Sequence, residues 1–300
     1  MARPASSIRS LPFRHNLKPA LGFELFRLSA LYERADRRAL DHELETPQRP
    51  EFHTVYVGIR GRGKLVVDFT PVPLGARTLT VVAKGRVQQF MPDRSIDAWM
   101  LLFTPEFIGQ PGGADPLVTP AILAPTRVAP AIAVSAADQR ELATLAEQLE
   151  REHARPFDRQ QPWLIAALLR ALLLHAERLA GWQPPVSSLA RFFTVLERDH
   201  TTTRSVAHYA RQSGISVRRL AELLVAETGR STKQVIDERV ILEQKRLLAH
   251  TELSIKELSE RTGFEEPTNL VKFFRHHTGE TPLGFRRRVR PSIGCSDRRF

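Results

Sequence analysis

A chain of 300 residues has room for two domains with cores of their own. Its 44 Lys and Arg against 33 Asp and Glu give a net charge of +11, which favours a polyanionic partner, though solubility or attraction to an anionic surface would leave the same signature. The single cysteine, Cys295, excludes an intramolecular disulfide and a cysteine zinc cluster.

The first ten residues lack the apolar core of a signal peptide. The most apolar stretch, Trp163 to Leu174, contains Arg170 and is too short to span a bilayer. A cytoplasmic protein with no membrane partner is the expectation. Up to about residue 50 the chain is mixed and arginine-rich, with Leu21 to Leu31 leading towards the first strands. The period then becomes two, and β-rich runs begin at Thr54, Lys64, Thr78 and Ala98. Gly61-Arg-Gly63, Pro71-Val-Pro73-Leu-Gly75 and Pro92-Asp93 supply turn chemistry between them. Short strands at this spacing predict a small barrel or jelly roll. Its alternating residues Val55, Val57, Leu65 and Trp99, with Val67 and Leu101, are candidates to line a small-molecule pocket; the competing reading is that they fill the core.

A Pro- and Ala-rich passage from Pro111 to Pro130 precedes a return to helical periodicity. Ala137 to His153 places Leu142, Leu145 and Leu149 on one face. A second helix from Pro162 carries Leu164, Ile165, Leu168, Leu169, Leu172 and Leu173, and is apolar almost all round. Such a helix must bury two faces. Either an outer face including Leu169 and Leu173 meets something beyond its own barrel, or the helix is sandwiched inside one subunit. Gly181-Trp-Gln-Pro-Pro-Val-Ser-Ser188 reads as a linker, with a boundary near 185.

Beyond it one pattern is written twice. Val206 to Gly214, Ile215, Ser216, and then Arg218 to Leu224 and Thr228-Gly229 is matched by Ile255 to Gly263, Phe264, Glu265, and then Thr268 to Phe274 and Thr278-Gly279. The two are 49 residues apart before the turn and 50 after it, so the second turn holds one extra residue. Each glycine suits a left-handed helix end, Ser216 an N-cap and Pro267 a first turn. With Leu220, Leu223 and Leu224, or Leu270, Phe273 and Phe274, facing inward, Arg218, Arg219 and Glu222, or Thr268, Asn269 and Lys272, point outward, where a DNA major groove would meet them. Arg275, Arg286 and Arg287 are placed on a basic rim, for phosphate contact or solvation. A single helix-turn-helix match is weak, but two copies joined by one helical stretch, Thr232 to Ala249, fit a bipartite DNA reader better than a helical solenoid. From Ser188 onward 21 basic residues face 14 acidic ones, so the excess charge is concentrated where the repeat lies.

The run from Glu238 to Ser259, continued by Gly263 to Arg286, resembles the signature of the AraC/XylS family of bacterial transcription regulators over about a third of the chain. Asn269 and Val271 depart from it, where the family more often has an aromatic residue and serine. The segment Gly61 to Val87 is similar, more weakly, to that family's cupin-like sensor domain, with Lys84 and Gln88 standing where proline and histidine are frequent. The resemblance implies an effector-responsive regulator, more often an activator of a nearby operon, that works with RNA polymerase, and it puts the dimer contact on the second helix.

A rival reading, a cupin-type enzyme with an accessory helical domain, requires about three converging ligands if it uses a metal. Among histidines the strands offer only His53. The adjacent pair His276-His277 points about 100° apart on a helix and cannot chelate as an i, i+4 pair would; bordering phosphates is its expected place. No catalytic residues, metal or cofactor are assigned. The expected fold class is α+β in two domains: a cupin-like barrel or jelly roll with helices over 1–135, a helical dimerisation segment over 136–184, an all-α double helix-turn-helix over 185–290 and a polar tail over 291–300. The expected partners are double-stranded DNA, a small-molecule effector, RNA polymerase and a second copy of the chain.

Overall fold

The computed structural model describes residues 9–13, 21–38, 45–91, 93, 95–109, 121–123, 131–181 and 187–290. Cys295, the polar tail, the core of the linker and most of the Pro-rich passage lie outside them. The chain divides into two compact units at Phe193–Thr194, and the helices over 136–180 belong with the strands.

In the N-terminal unit ten strands form two five-stranded sheets. One has the order β1 (Arg9–Leu11), β3 (Gln48–Pro50), β8 (Gln88–Phe90), β5 (Arg62–Val67), β6 (Thr70–Gly75). The other runs β10 (Ala131–Ala133), β7 (Thr78–Val82), β4 (His53–Arg60), β9 (Asp97–Phe103), β2 (Phe23–Arg27). All pairings are antiparallel except β1 with β3. Of the barrel or jelly roll expected from their spacing, the strands make two separate sheets and no closed barrel among the described residues.

The β4–β9 register sets Val55 opposite Leu101 and Val57 opposite Trp99. These residues pack with Leu142, Leu149, Ile165 and Leu169 of two helices, α3 (Ala136–Ala154) and α4 (Gln161–Leu179). The alternate residues Tyr56, Ala98, Met100 and Leu102 face Leu65, Val67, Val72 and Leu74 of the other sheet. The second sheet is therefore covered on both sides, which is why every residue of β9 is buried and no apolar-polar alternation survives in its sequence. Two shorter helices, α1 (Leu28–Arg38) and α2 (Pro105–Gly109), also belong to this unit.

The segment Pro71 to Gly75, expected as a turn, is strand β6. It is an edge strand, where proline's missing N–H costs no ladder bond. The turn lies before it: Val67 pairs with Thr70 across Asp68 and Phe69, both at positive φ, the geometry of a two-residue primed turn. Asp68 is anchored there, its carboxylate accepting from Arg86 at 3.0 Å and the Val87 amide at 3.1 Å.

Helix α4 corrects a second expectation. Leu169 and Leu173 are fully buried in the core of their own unit. The apolar side chains left exposed are Trp163, Leu164 and Leu174, with Phe157 in the preceding loop.

Helix α5 (Ser187–Asp199) crosses the division between the units. The C-terminal unit then continues through α6 (Val206–Gln212), α7 (Val217–Thr228), α8 (Thr232–His250), α9 (Ile255–Arg261), α10 (Pro267–Thr278) and α11 (Pro282–Val289). Helix α8 is its axis. Ile236, Val240 and Leu248 are buried, and so are Arg239, Glu243 and Arg246. Arg239 donates to both carboxylate oxygens of Glu197, at 2.8 and 2.9 Å, and to Glu243 at 3.3 Å. The charges are paired, so their burial is tolerated; removing one partner would strand the other.

Candidate nucleic-acid interface

Each repeat folds as two helices around a tight turn. In the first, Ser205 caps α6 by accepting from the His208 amide, Gly214 takes a positive φ, and Ser216 caps α7 by accepting from the Arg219 amide. In the second, Ser254 and Glu257 form a reciprocal capping box on α9, Gly263 takes the positive φ, and Pro267 occupies the first turn of α10. The extra residue lengthens the second turn between Gly263 and Pro267, which the Ser259 hydroxyl holds by donating to the Phe264 carbonyl at 2.9 Å. Gly229 and Gly279 end α7 and α10 in the left-handed conformation.

Leu220 and Leu224 in α7, and Leu270 and Phe274 in α10, are fully buried. That fixes the opposite faces outward: Arg218, Arg219 and Glu222 are exposed on α7, and Thr268, Asn269, Lys272 and Arg275 on α10. Electrostatically the two faces differ. Arg218 and Arg219 share the Glu222 carboxylate at 3.0 and 3.4 Å. Helix α10 carries no acidic residue within Pro267–Thr278.

The rim needs revision. Arg287 is exposed, but Arg286 is turned inward and donates to the carbonyls of Leu248 and Leu253. Burial lowers its pKa. His277 does not border open solvent alone; its ring lies 3.6 Å from the Asp237 carboxylate of α8 and 4.5 Å from the ring of Phe273. Below the first unit, hydrogen bonding by Arg198, then burial opposing it and His208, leave the Asp199 carboxyl well under its usual range. Burial pushes the Tyr209 hydroxyl up to about 12, and that hydroxyl donates to the Thr203 carbonyl at 2.8 Å.

Arg204 is the residue sequence reading passed over. Its guanidinium lies 3.7 Å from the centroid of Phe264 and donates to the carbonyls of Gly263 at 3.1 Å and Thr262 at 3.4 Å. It sits in a loop, outside any periodic pattern, so only the tertiary fold reveals its partner.

The four candidate effector residues are not brought together. Val55, Val57 and Trp99 face α3 and α4, whereas Leu65 lies between the sheets. Trp99 is further committed, its ring NH donating to Glu150 at 3.2 Å beneath the Arg27 guanidinium. Between the sheets the Tyr56 hydroxyl donates to Gln88 at 3.2 Å, and burial raises the Tyr56 pKa. The buried Thr54 hydroxyl has no partner among the described residues. His53 Nδ1 accepts from the Lys84 amide at 3.1 Å while the ring stacks on Phe103. Burial, helped by Lys84, lowers its pKa to about 4, so the imidazole is neutral at pH 7. No group of three or more His, Cys, Asp and Glu among the described residues could hold a metal ion. No helix among them is long and apolar enough to cross a membrane.

Residues 209–288, from the middle of α6 to the end of α11, match the family model described as a helix-turn-helix domain. The C-terminal unit is an AraC-type helix-turn-helix domain. Among solved structures, ToxT from Vibrio cholerae O395 is similar at 11% identity over 80% of this chain and 90% of its own, with a TM-score of 0.42. The C-terminal domain of AraT, a response regulator from Geobacillus stearothermophilus, shares 20% identity over 39% of this chain and 97% of its own, with a TM-score of 0.35. The DNA-binding domain of AdpA, solved with a target DNA, shares 28% over 35% and 97%, with a TM-score of 0.32. No curated protein matches the chain.

Proposed function

We propose that the protein is a sequence-specific DNA-binding transcription regulator, which works as a homodimer and answers to a small organic effector. The observation that carries this reading is the duplication itself: two AraC-type helix-turn-helix units in one compact unit, each burying one face of its second helix and exposing polar side chains on the other. An exposed row of Arg, Asn, Thr and Lys on a helix offers the donors and acceptors that base edges and phosphates require. Two such helices would enter successive major grooves, roughly 34 Å apart. Transcription activation, a nearby operon as target and contact with RNA polymerase follow from the AraC/XylS resemblance and are part of the proposal.

Sensing belongs to the cupin-like N-terminal unit. The space between its sheets suits an effector better than the helix-facing side, because Tyr56, Gln88 and Thr54 place polar atoms in an otherwise apolar interior. The dimer contact belongs to the exposed face of α4. Leu164→Glu combined with Leu174→Glu is expected to give a folded monomer by sedimentation, whereas Leu173→Glu puts a charge in the core and unfolds the unit. A wild type that sediments as a monomer at micromolar concentration removes the dimer from the proposal.

The deciding experiment is a binding titration at several salt concentrations with a promoter duplex from the flanking DNA and a scrambled duplex of equal length. Preference for the promoter that persists at high salt supports a sequence reader. Equal binding to both leaves only a phosphate-binding protein.

A further inference from the structure

We infer that Arg204 is a positioning residue for sequence reading: laid on the ring of Phe264 and hydrogen-bonded to the carbonyls of Thr262 and Gly263, it sets the spacing between the two helix-turn-helix units. The inference rests on the DNA-reading proposal and deepens it.

By chain connectivity the two units share only α8, whose N-terminus follows α7 and whose C-terminus precedes α9. Helix α8 packs against both units, with Val240, Ile241 and Leu248 clustered with Leu258, Leu270 and Phe274 of the second, and so supplies one tie between them. The structure supplies a second tie that does not run through α8. Arg204 immediately precedes Ser205, the N-cap of α6, so it stands at the entrance of the first unit. Its partners, Thr262, Gly263 and Phe264, are the turn of the second. The ring of Phe273 on α10, itself 5.1 Å from Phe264, lies 5.9 Å from the same guanidinium. The start of one unit is therefore held against both the turn and the second helix of the other.

The backbone beside it is fitted to the same contact. A Cβ on Gly263 would lie 2.5 Å from the Thr201 carbonyl oxygen, so the α5–α6 loop and the second turn touch backbone to backbone only because residue 263 is glycine. Arginine suits the place for three reasons. Its planar fork reaches two neighbouring carbonyls at once, its flat face stacks on an aromatic ring, and its charge is favourable at the C-terminal end of α9, where those carbonyls project. Lysine would keep the charge and lose the fork and the stack.

The consequence is read through effective concentration. When two linked modules are held at the correct separation, the second binding event is intramolecular and strong, and a mismatch in spacing is penalised; when the link loosens, both the gain and the penalty shrink. Arg204 thus governs tolerance for the distance between two DNA subsites, not the base preference of either one.

The test uses full-length protein and three duplexes derived from a sequence that the wild type selects out of a randomised pool: the selected duplex, one with a base pair inserted between its two subsites, and one with a subsite scrambled. The insertion shifts one subsite by about 3.4 Å along the axis. Wild type is expected to bind the inserted duplex at least about tenfold more weakly than the selected one, and Arg204→Lys to reduce that ratio to about threefold or less while binding the single-subsite duplex like wild type. Phe264→Leu, which keeps an apolar plug and removes the ring face, should show the same loss of spacing preference. A lowered melting temperature with the wild-type spacing ratio intact in both variants would reduce Arg204 to a structural role and overturn the inference. A wild type that selects no sequence overturns the DNA-reading proposal, and this inference with it, before any variant is compared.

Discussion

The two helix-turn-helix units share a scaffold and differ in the surface they present. Leu220 and Leu224 in α7 have their counterparts in Leu270 and Phe274 of α10, all fully buried, because the packing of a helix against its partner dictates those positions. The exposed positions diverge. On α7 two arginines lean on Glu222, making a cluster of donors and acceptors whose positive charge is partly offset, with Val217 and Val225 also exposed on the helix. On α10 Lys272, Arg275 and two histidines stand without a carboxylate on the helix. Burial repeats what the fold needs, whereas exposure is free to record what each unit contacts. The first surface is suited to discrimination among base edges, and the second to combined base and phosphate contact.

The comparison can be broken most severely through its glycines. Gly229 and Gly263 both have φ near +70°, but a Cβ at 229 meets nothing within 4 Å while one at 263 meets the Thr201 carbonyl at 2.5 Å. Gly229→Ala should cost only the left-handed strain, about 1–2 kcal/mol. Gly263→Ala adds a backbone collision that repacking must relieve, for a total of about 3 kcal/mol or more. Thermal unfolding of the full chain, with the C-terminal transition followed separately, measures the difference. Equal losses would mean that the backbone contact at Gly263 is slack.

A smaller effect separates the reading faces. Arg218→Ala and Lys272→Ala should each lower discrimination between the selected and scrambled duplexes, by about 1–3 kcal/mol where a bidentate base contact is lost. If both leave discrimination unchanged, the reading residues lie elsewhere on these helices, with Asn269 and Thr268 the next to replace.

Legibility in the sequence followed the range of the interactions. Caps, glycine stops and apolar periodicity act within a few residues, so both helix-turn-helix units, their 49- and 50-residue offsets and the outward placement of Arg218 and Lys272 could be read directly. The N-terminal unit depends on pairing across long separations. Val55 and Leu65 both alternate correctly within their strands, yet Val55 faces the helices and Leu65 the space between the sheets, because β4 and β5 belong to different sheets. Pro71 and Pro73 have turn chemistry and nevertheless form an edge strand, since edge position is a property of the whole sheet. Helix α4 is apolar nearly all round, and only the packed structure distinguishes Leu173, inside, from Leu174, outside. Arg204 was hidden for the same reason: its partners lie about sixty residues away.

The smallest expected effects sharpen the electrostatic contrast. If Arg275, exposed on α10, contacts phosphate in the proposed complex, Arg275→Ala should weaken binding to every duplex alike and lower the salt slope by about one unit. Glu222 acts in the opposite sense. Its exposed ion pairs contribute little stability, about 0–1 kcal/mol, and therefore open readily when DNA arrives. On the proposed DNA-reading role, the carboxylate would restrain Arg218 and Arg219 from indiscriminate phosphate contact and could accept from a cytosine amino group in the groove. Glu222→Gln should raise affinity for the scrambled duplex by about threefold, the scale of one exposed ion pair, with less gain on the selected duplex. Arg275→Ala and Glu222→Gln thus move non-specific binding in opposite directions, and measuring both on one salt series removes any shared error in protein concentration. If Glu222→Gln instead weakens both duplexes equally, Glu222 serves to hold α7 together, and its ion pairs on the first unit are a stability device with no part in discrimination.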